Sequence, residues 1–440
     1  MIANTCKYLS VNLLAAAFAC GSQAPAATLT RVYSMTVQNG GANSLIEGSP
    51  GLFYIASAYP YTVFTVTGGG VATTLATFAN PPYTIESDPG VVAANGLLYS
   101  SVEQSSFANV FSVGSTPGTE KVYPNQSLAP LDMGNLPDGG LFGLSYTFTN
   151  QPGLGTVDLK GTVSQFYLFP ANSRPGPPIL GADGNYYGVS YTPIAGTTSY
   201  FYGVTPSGSF SQVASLPFVN GGGFRGDGFA LQGTDGNFYG IQQTGGGCSS
   251  SNQHGAVYKL TPAGQFTILH DFGVCGKAII NTLIEGSDGN LYGAIEGASE
   301  IFSLTKAGSD YKVLASLKGV YGLCQCGLLQ GSDGKIYGAS LGGGANGLGT
   351  VFALDAGLPI PKPRAPAFYP KSGAVGTKVR IWGYNLFGAS VQFNGVAGTN
   401  VYNAGPNYVW ATVPAGATTG PITVTTPGGT STTKQSFTVQ

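Results

Sequence analysis

Ionisable side chains are scarce in this sequence. Only 8% of the 440 residues are Asp, Glu, Lys or Arg, and there are two histidines. A chain so poor in charge has few groups for acid–base chemistry. Neither sign dominates: 18 Lys plus Arg stand against 19 Asp plus Glu, a formal net charge of −1. That balance gives no reason to expect nucleic acid or an anionic membrane surface as partner. No convincing amphipathic helix is present, and no segment after the N-terminus could span a membrane. No histidine stands near a cysteine at metal-ligand spacing, so a zinc site is not expected.

What the chain has is turn formers and strand formers. Its 69 Gly and 28 Pro, with Tyr, Phe, Val and Thr between them, read as short strands joined by tight turns. The N-terminus carries Lys7, an apolar run from Tyr8 to Ala19 and the small residues Ala24-Pro25-Ala26. This is the layout of an export signal over residues 1–26, with lipid attachment at Cys20 as the alternative. The expected location is therefore secreted or at the bacterial cell surface, outside the cytoplasm.

Four cysteines remain once the signal is removed: Cys248, Cys275, Cys324 and Cys326. In an exported chain they suggest disulfides.

One stretch, "LIEGSDGNLYGAI", recurs. The aromatic anchors of its copies are Tyr54, Tyr99, Phe142, Tyr187, Tyr239, Tyr292 and Tyr337, at intervals of 43 to 53 residues. A glycine stands three residues before each anchor, and in five copies Asp precedes that glycine: Asp138, Asp183, Asp235, Asp288 and Asp333. Asp-Gly between apolar runs predicts a hairpin with a type I′ turn, and Pro50 requires a different turn in the first copy. Each copy continues with strands such as "GAVYKLT" and "QFTILHDF" around a short turn. Four antiparallel strands at this period predict a propeller blade.

The two ends complement each other. Copy seven runs out of strands after Asp355, whereas "TLTRVYSMT" stands alone before copy one. The expectation is an all-β, seven-bladed β-propeller over residues 27–357, closed by Thr28 to Thr36 pairing beside Gly349 to Asp355. In that arrangement Cys248 and Cys275 lie at one end of the fifth blade, where a bridge between them would add about 3 kcal/mol of stability. Cys324 and Cys326 stay unassigned. A Pro-rich linker at 358–366 leads to a small β-sandwich at 367–440.

Two resemblances accompany this reading. Through "SGAVGTKVRIWGYNL", "VQFNGV", "ATVPAGATTGPITVTTPGG" and the terminal "FTV", residues 367–440 resemble an IPT/TIG domain, which implies an immunoglobulin-like fold. Through "LIEGSDGNLYG", "LLQGSDGKIYG" and "GAVYKLTPAGQFTILHDF", residues 27–357 resemble the GloVer, or choice-of-anchor, tandem-repeat proteins. The latter resemblance implies no activity.

Candidate chemistry is sparse. The turn aspartates are better explained by turn geometry than by calcium. His254 and His270 lack a neighbouring serine elbow, so no catalytic residue is assigned and no cofactor is expected. Arg225-Gly226-Asp227 falls in a Gly-rich blade connection. Seven residues before each anchor stand Glu47, Val92, Asn135, Leu180, Gln232, Glu285 and Gln330. If these side chains reach a central channel, Glu47, Asn135, Gln232, Glu285 and Gln330 form a ring suited to a hydrated cation or sugar hydroxyls; otherwise they hydrogen-bond neighbouring blades. The favoured function is a non-enzymatic exported binding or scaffold protein, recognising a glycan or cell-surface protein through the loop face of the propeller. The alternative is a metal-dependent lyase or hydrolase, its channel metal held by Glu47 and Glu285.

Overall fold

In the computed structural model the described residues are 27–59, 61–78, 83–85, 90–104, 107–123, 131–146, 151–191, 199–216, 230–245, 254–272, 280–295, 298–319, 321–322 and 327–440. Cys248, Cys275, Cys324 and Cys326 and the Arg225-Gly226-Asp227 tripeptide lie outside them.

The described residues between 28 and 355 form seven antiparallel sheets of four or five strands. Sheet 1 runs Gly41–Ser49, Leu52–Tyr59, Tyr61–Thr67 and Ala72–Thr77 in sequence order. Sheets 3, 5 and 6 repeat that order from Leu131–Asn135, Ala230–Gln232 and Ile280–Glu285 respectively. Sheets 2 and 4 do so too, with an extra short strand each. Sheet 7 has only three consecutive strands of its own, Leu328–Gln330, Ile336–Ser340 and Thr350–Asp355. Thr28–Ser34 supplies its fourth, with Thr28 opposite Asp355 and Arg31 opposite Phe352.

Apolar side chains are buried between the sheets. Tyr54, Ala56 and Val63 of sheet 1 pack on Leu98 and Phe111 of sheet 2. Comparable cores join each later sheet to the next. The last core returns to the start: Phe53, Ile55 and Phe64 of sheet 1 pack against Tyr337, Ala339 and Val351 of sheet 7. Each fully buried Phe or Leu contributes roughly 1.5–3 kcal/mol.

The repeated turn differs from the expected type I′. In Gly181-Ala182-Asp183-Gly184-Asn185 the Gly184 amide donates to the Gly181 carbonyl (3.0 Å) and the Gly181 amide to the Asn185 carbonyl (2.8 Å). Only Gly184 has positive φ, at 87°; Asp183 does not. This is a type I turn closed by a left-handed glycine. The aspartate explains the change, because its Oδ1 accepts the Asn185 amide (3.1 Å) and its Oδ2 accepts the anchor hydroxyl of Tyr187 (2.7 Å). Asp235, Asp288 and Asp333 hold Tyr239, Tyr292 and Tyr337 in the same way, at 2.8–2.9 Å. In the first copy Pro50 and Gly51 alone bridge Ser49 and Leu52, Gly51 with φ of 69°. That is the residue pattern of a type II turn.

A second glycine has a steric role. A Cβ on Gly286 would stand 2.5 Å from Cε2 of Tyr292, and one on Gly331 would stand 2.7 Å from the ring of Tyr337. The anchor ring lies directly over this glycine, so no larger residue fits there.

Residues 364–439 form two further sheets. One comprises Arg364–Tyr369, Lys378–Tyr384, Tyr408–Thr412 and Thr399–Asn403, and the other is built on Gly420–Thr426 and Gly429–Val439. Phe368, Ile381, Phe393, Val409, Val424 and Phe437 fill the space between them.

Candidate functional site at the turn face

In an up-and-down sheet, the turns joining strands one to two and three to four emerge at the same end. The C-terminal sandwich docks on that end of the ring. Its Tyr408, fully buried, donates from its hydroxyl to the Leu136 carbonyl (2.6 Å), and Trp410 donates from Nε1 to the Ala94 carbonyl (3.1 Å). Ala94, Trp382, Ala404 and Tyr408 make a shared core, with Leu180 packed against it. The absence of a side chain at Gly139 lets the Arg380 guanidinium lie against the turn of sheet 3. The linker crosses the same face, where the Pro359 carbonyl accepts from Ser287 Oγ (2.5 Å) and Gln330 Nε2 (3.2 Å).

The candidate ring residues sit on the strands that pair with the anchor strands, at this face. Each polar member reaches the preceding sheet. Glu47 Oε2 accepts the Ser332 amide (2.8 Å), while Oε1 accepts the Ser332 hydroxyl (2.8 Å) and the Gly51 amide (2.7 Å). Gln330 accepts the Ser287 amide (2.8 Å) through Oε1. Glu285 accepts the Thr234 amide (2.8 Å) and hydroxyl (2.5 Å), and pairs with Lys306 Nζ at 2.5 Å. Gln232 accepts the Ala182 amide (2.8 Å), and Asn135 donates to the Val92 carbonyl (3.2 Å). These bonds run from sheet 1 to 7, 7 to 6, 6 to 5, 5 to 4, and 3 to 2.

The two apolar members have a different role, which sequence reasoning missed. Val92 lies under the left-handed Gly405, where an added Cβ would stand 2.7 Å from Val92 Cγ1, and Leu180 packs on the sandwich core. Asn135, between them, also donates to Asn407 Oδ1 of the sandwich (3.2 Å). Apolar side chains therefore occur in the ring where the sandwich covers it.

Electrostatics follow from burial. Desolvation raises the Glu47 carboxyl above its ordinary range, against hydrogen bonds from Gly51 and Ser332, and the Asp333 charge pushes the same way as burial. Burial also acts to raise Asp183 and Asp235, but the bonds they accept outweigh it and both lie below the usual carboxylate range. Elsewhere, His270 stacks on Tyr311 with ring centroids 4.3 Å apart, and burial lowers its pKa against the opposing charge of Asp271. His254 lies on the strand His254–Leu260. Among the described residues, no group of three or more His, Cys, Asp and Glu side chains could hold a metal ion.

Where sheets 1 and 7 meet the linker and sandwich there is a cleft of ≈ 250 Å³, with Glu47, Gln330 and Ser332 on its propeller side. The arrangement can hold a small ligand against one buried carboxylate.

Comparison with known proteins agrees with this architecture. Residues 174–361 match the Gloeobacter/Verrucomicrobia repeat. The chain is similar in structure to selenomethionine-substituted virginiamycin B lyase from Staphylococcus aureus, with a TM-score of 0.54 and 15% identity over 74% of this chain and 98% of that one. It is likewise similar to a streptogramin B lyase, with a TM-score of 0.54 and 14% identity over 76% of this chain and 98% of that one. No curated protein matches the sequence. At such identities the likeness speaks to fold alone. The repeat match and the structural likeness together identify the seven-sheet region as a repeat β-propeller.

Proposed function

We propose that the chain is an exported binding or scaffold protein whose seven sheets are the blades of one closed propeller, with residues 367–440 an IPT/TIG domain docked on it. Residues 1–26 direct export and are removed. The propeller recognises a glycan or a cell-surface protein through the loop face, opposite the turns. One observation carries this reading: the sandwich occupies the turn face through Tyr408, Trp410 and the linker carbonyl of Pro359, which leaves the opposite face for a partner. In addition, the carboxylates of Glu47 and Glu285 are engaged by amide, hydroxyl and ammonium donors from the protein itself.

The test is a binding screen of the mature chain against polysaccharides and cell-envelope fractions. The expected result is a specific ligand whose affinity falls about tenfold or more when residues 192–198 and 219–229 are each replaced by short Gly-Ser turns. A stoichiometric divalent ion in the purified protein, lost on Glu47→Gln with Glu285→Gln, would transfer support to the lyase or hydrolase alternative.

A further inference from the structure

The cleft between sheets 1 and 7 and the sandwich is chemically lopsided. Its walls are Pro50 and Leu329 of the propeller, Ile360 of the linker, and Phe387, Pro406 and Pro427 of the sandwich. Three segments distant in sequence thus supply an almost continuous apolar lining. On the propeller side the polar groups are largely committed. Gln330 accepts from the Ser287 amide and donates from Nε2 to Ser287 Oγ (2.8 Å), the Gly334 carbonyl (2.9 Å) and the Pro359 carbonyl (3.2 Å). Ser332 donates both its protons to Glu47.

Glu47 is the exception. The residue is 6% exposed, and among the described residues no Lys or Arg forms an ion pair with it. Among the described residues its Oε1 takes two donors, but its Oε2 takes only the Ser332 amide and keeps acceptor capacity. A buried carboxylate without a counter-charge is costly, and a cation brought into the cleft offsets that cost. Asp333 adds a second negative charge close enough to act on Glu47, although Lys335 lies 3.4 Å from Asp333 on its exposed side. An anion is therefore disfavoured, and a strongly hydrated metal ion gains nothing from apolar walls.

We infer that this cleft binds a small organic ammonium compound, its nitrogen donating to Oε2 of Glu47 and its hydrocarbon body lying against the Pro and Phe387 walls. At ≈ 250 Å³ the volume falls below the ~300–1,000 Å³ of sites for drug-sized ligands, so the occupant is a single ring or short chain. The inference is independent of the loop-face reading, since it concerns the opposite end of the propeller.

Calorimetric titration of the full mature chain with benzylamine, benzyl alcohol and benzoate tests it. Benzylamine should bind, benzyl alcohol should bind roughly tenfold or more weakly, and benzoate should not bind detectably. Glu47→Gln should abolish the preference for the amine over the alcohol. Because that variant also alters the clasp on Ser332, Phe387→Ala serves as a second variant on the sandwich wall. It should weaken benzylamine severalfold while leaving the clasp intact. Equal affinity for amine and alcohol, no amine binding at millimolar concentration, or unchanged amine affinity in a folded Glu47→Gln protein would overturn the inference.

Discussion

The docking of the sandwich on the propeller can be probed at Tyr408. Its hydroxyl is buried and donates to the Leu136 carbonyl at 2.6 Å, and burial holds its pKa far above the ordinary tyrosine value. The Leu136 carbonyl also accepts the Gly139 amide at 2.9 Å. Tyr408→Phe therefore removes one bond without orphaning the acceptor, and the expected loss is about 1 kcal/mol, the net value of one internal hydrogen bond. Tyr408→Ala also empties the ring's place beside Ala94, Trp382 and Ala404, and should cost about 3–5 kcal/mol. Hydrogen exchange at the amides of Gly96, Leu136 and Gly139, which lie in the covered turns, measures the change. If undocking limits their exchange, Tyr408→Phe accelerates it roughly fivefold and Tyr408→Ala by about a hundredfold or more. Unchanged exchange in Tyr408→Ala would refute the claim that this side chain holds the two parts together.

Other expectations follow from the repeat itself. Gly286→Ala would drive the Tyr292 ring off its seat and break its 2.8 Å bond to Asp288, lowering stability in denaturant titration by about 1–3 kcal/mol. Gly289→Ala meets no atom within 4 Å but must adopt a φ of 86°, so a cost of about 1–2 kcal/mol is expected. Lys306→Met leaves Glu285 without its ammonium partner in a largely shielded pair, and a loss of about 1–3 kcal/mol should appear in chemical denaturation. The pH dependence of Tm should carry two opposing signs. Asp183 and Asp235, lowered in the folded state, contribute stability that is lost as pH falls through their folded pKa values. Glu47, raised above 4.5, makes stability fall as pH rises through its folded pKa, and Glu47→Gln should remove that component from a series of melts.

The repeat was legible in the sequence because its spacing is fixed by steric demands. The glycine three residues before each anchor must be left-handed, and before Tyr187, Tyr239, Tyr292 and Tyr337 the aspartate preceding it is fixed by the anchor hydroxyl and the downstream amide. The partnership of Thr28–Ser34 with Thr350–Asp355 was legible as well, since one end lacked a strand and the other had one spare. The turn type was not, because Asp-Gly suits both type I′ and a type I turn with a left-handed glycine, and only the side-chain bonds of Asp183 and its equivalents distinguish them. The seat glycine recurs six residues before the anchor as Gly48, Gly181, Gly233, Gly286 and Gly331, with Ala93 and Leu136 in the second and third copies, but its meaning depends on a ring folding back over six residues. The alternation of polar and apolar residues in the ring had no local explanation. Val92 and Leu180 make sense only once the sandwich, more than two hundred residues later, lies on them.

The inter-blade clasps of sheets 3, 5, 6 and 7 point backwards along the chain, whereas that of sheet 1 reaches forward to the last sheet. Glu47 has its partner in Ser332, 285 residues downstream. During synthesis, therefore, the earliest unit carries a carboxylate that has the Gly51 amide but not yet its two Ser332 donors, and it stays half-open until most of the polypeptide has emerged. The latch doubles as a test of completeness: a chain broken off after sheet 6 keeps the clasps of sheets 3, 5 and 6, yet exposes the apolar flank of Phe53, Ile55 and Phe64 that only the final unit covers. Prematurely ended products should accordingly be the ones that aggregate or are degraded, however well their individual sheets have formed.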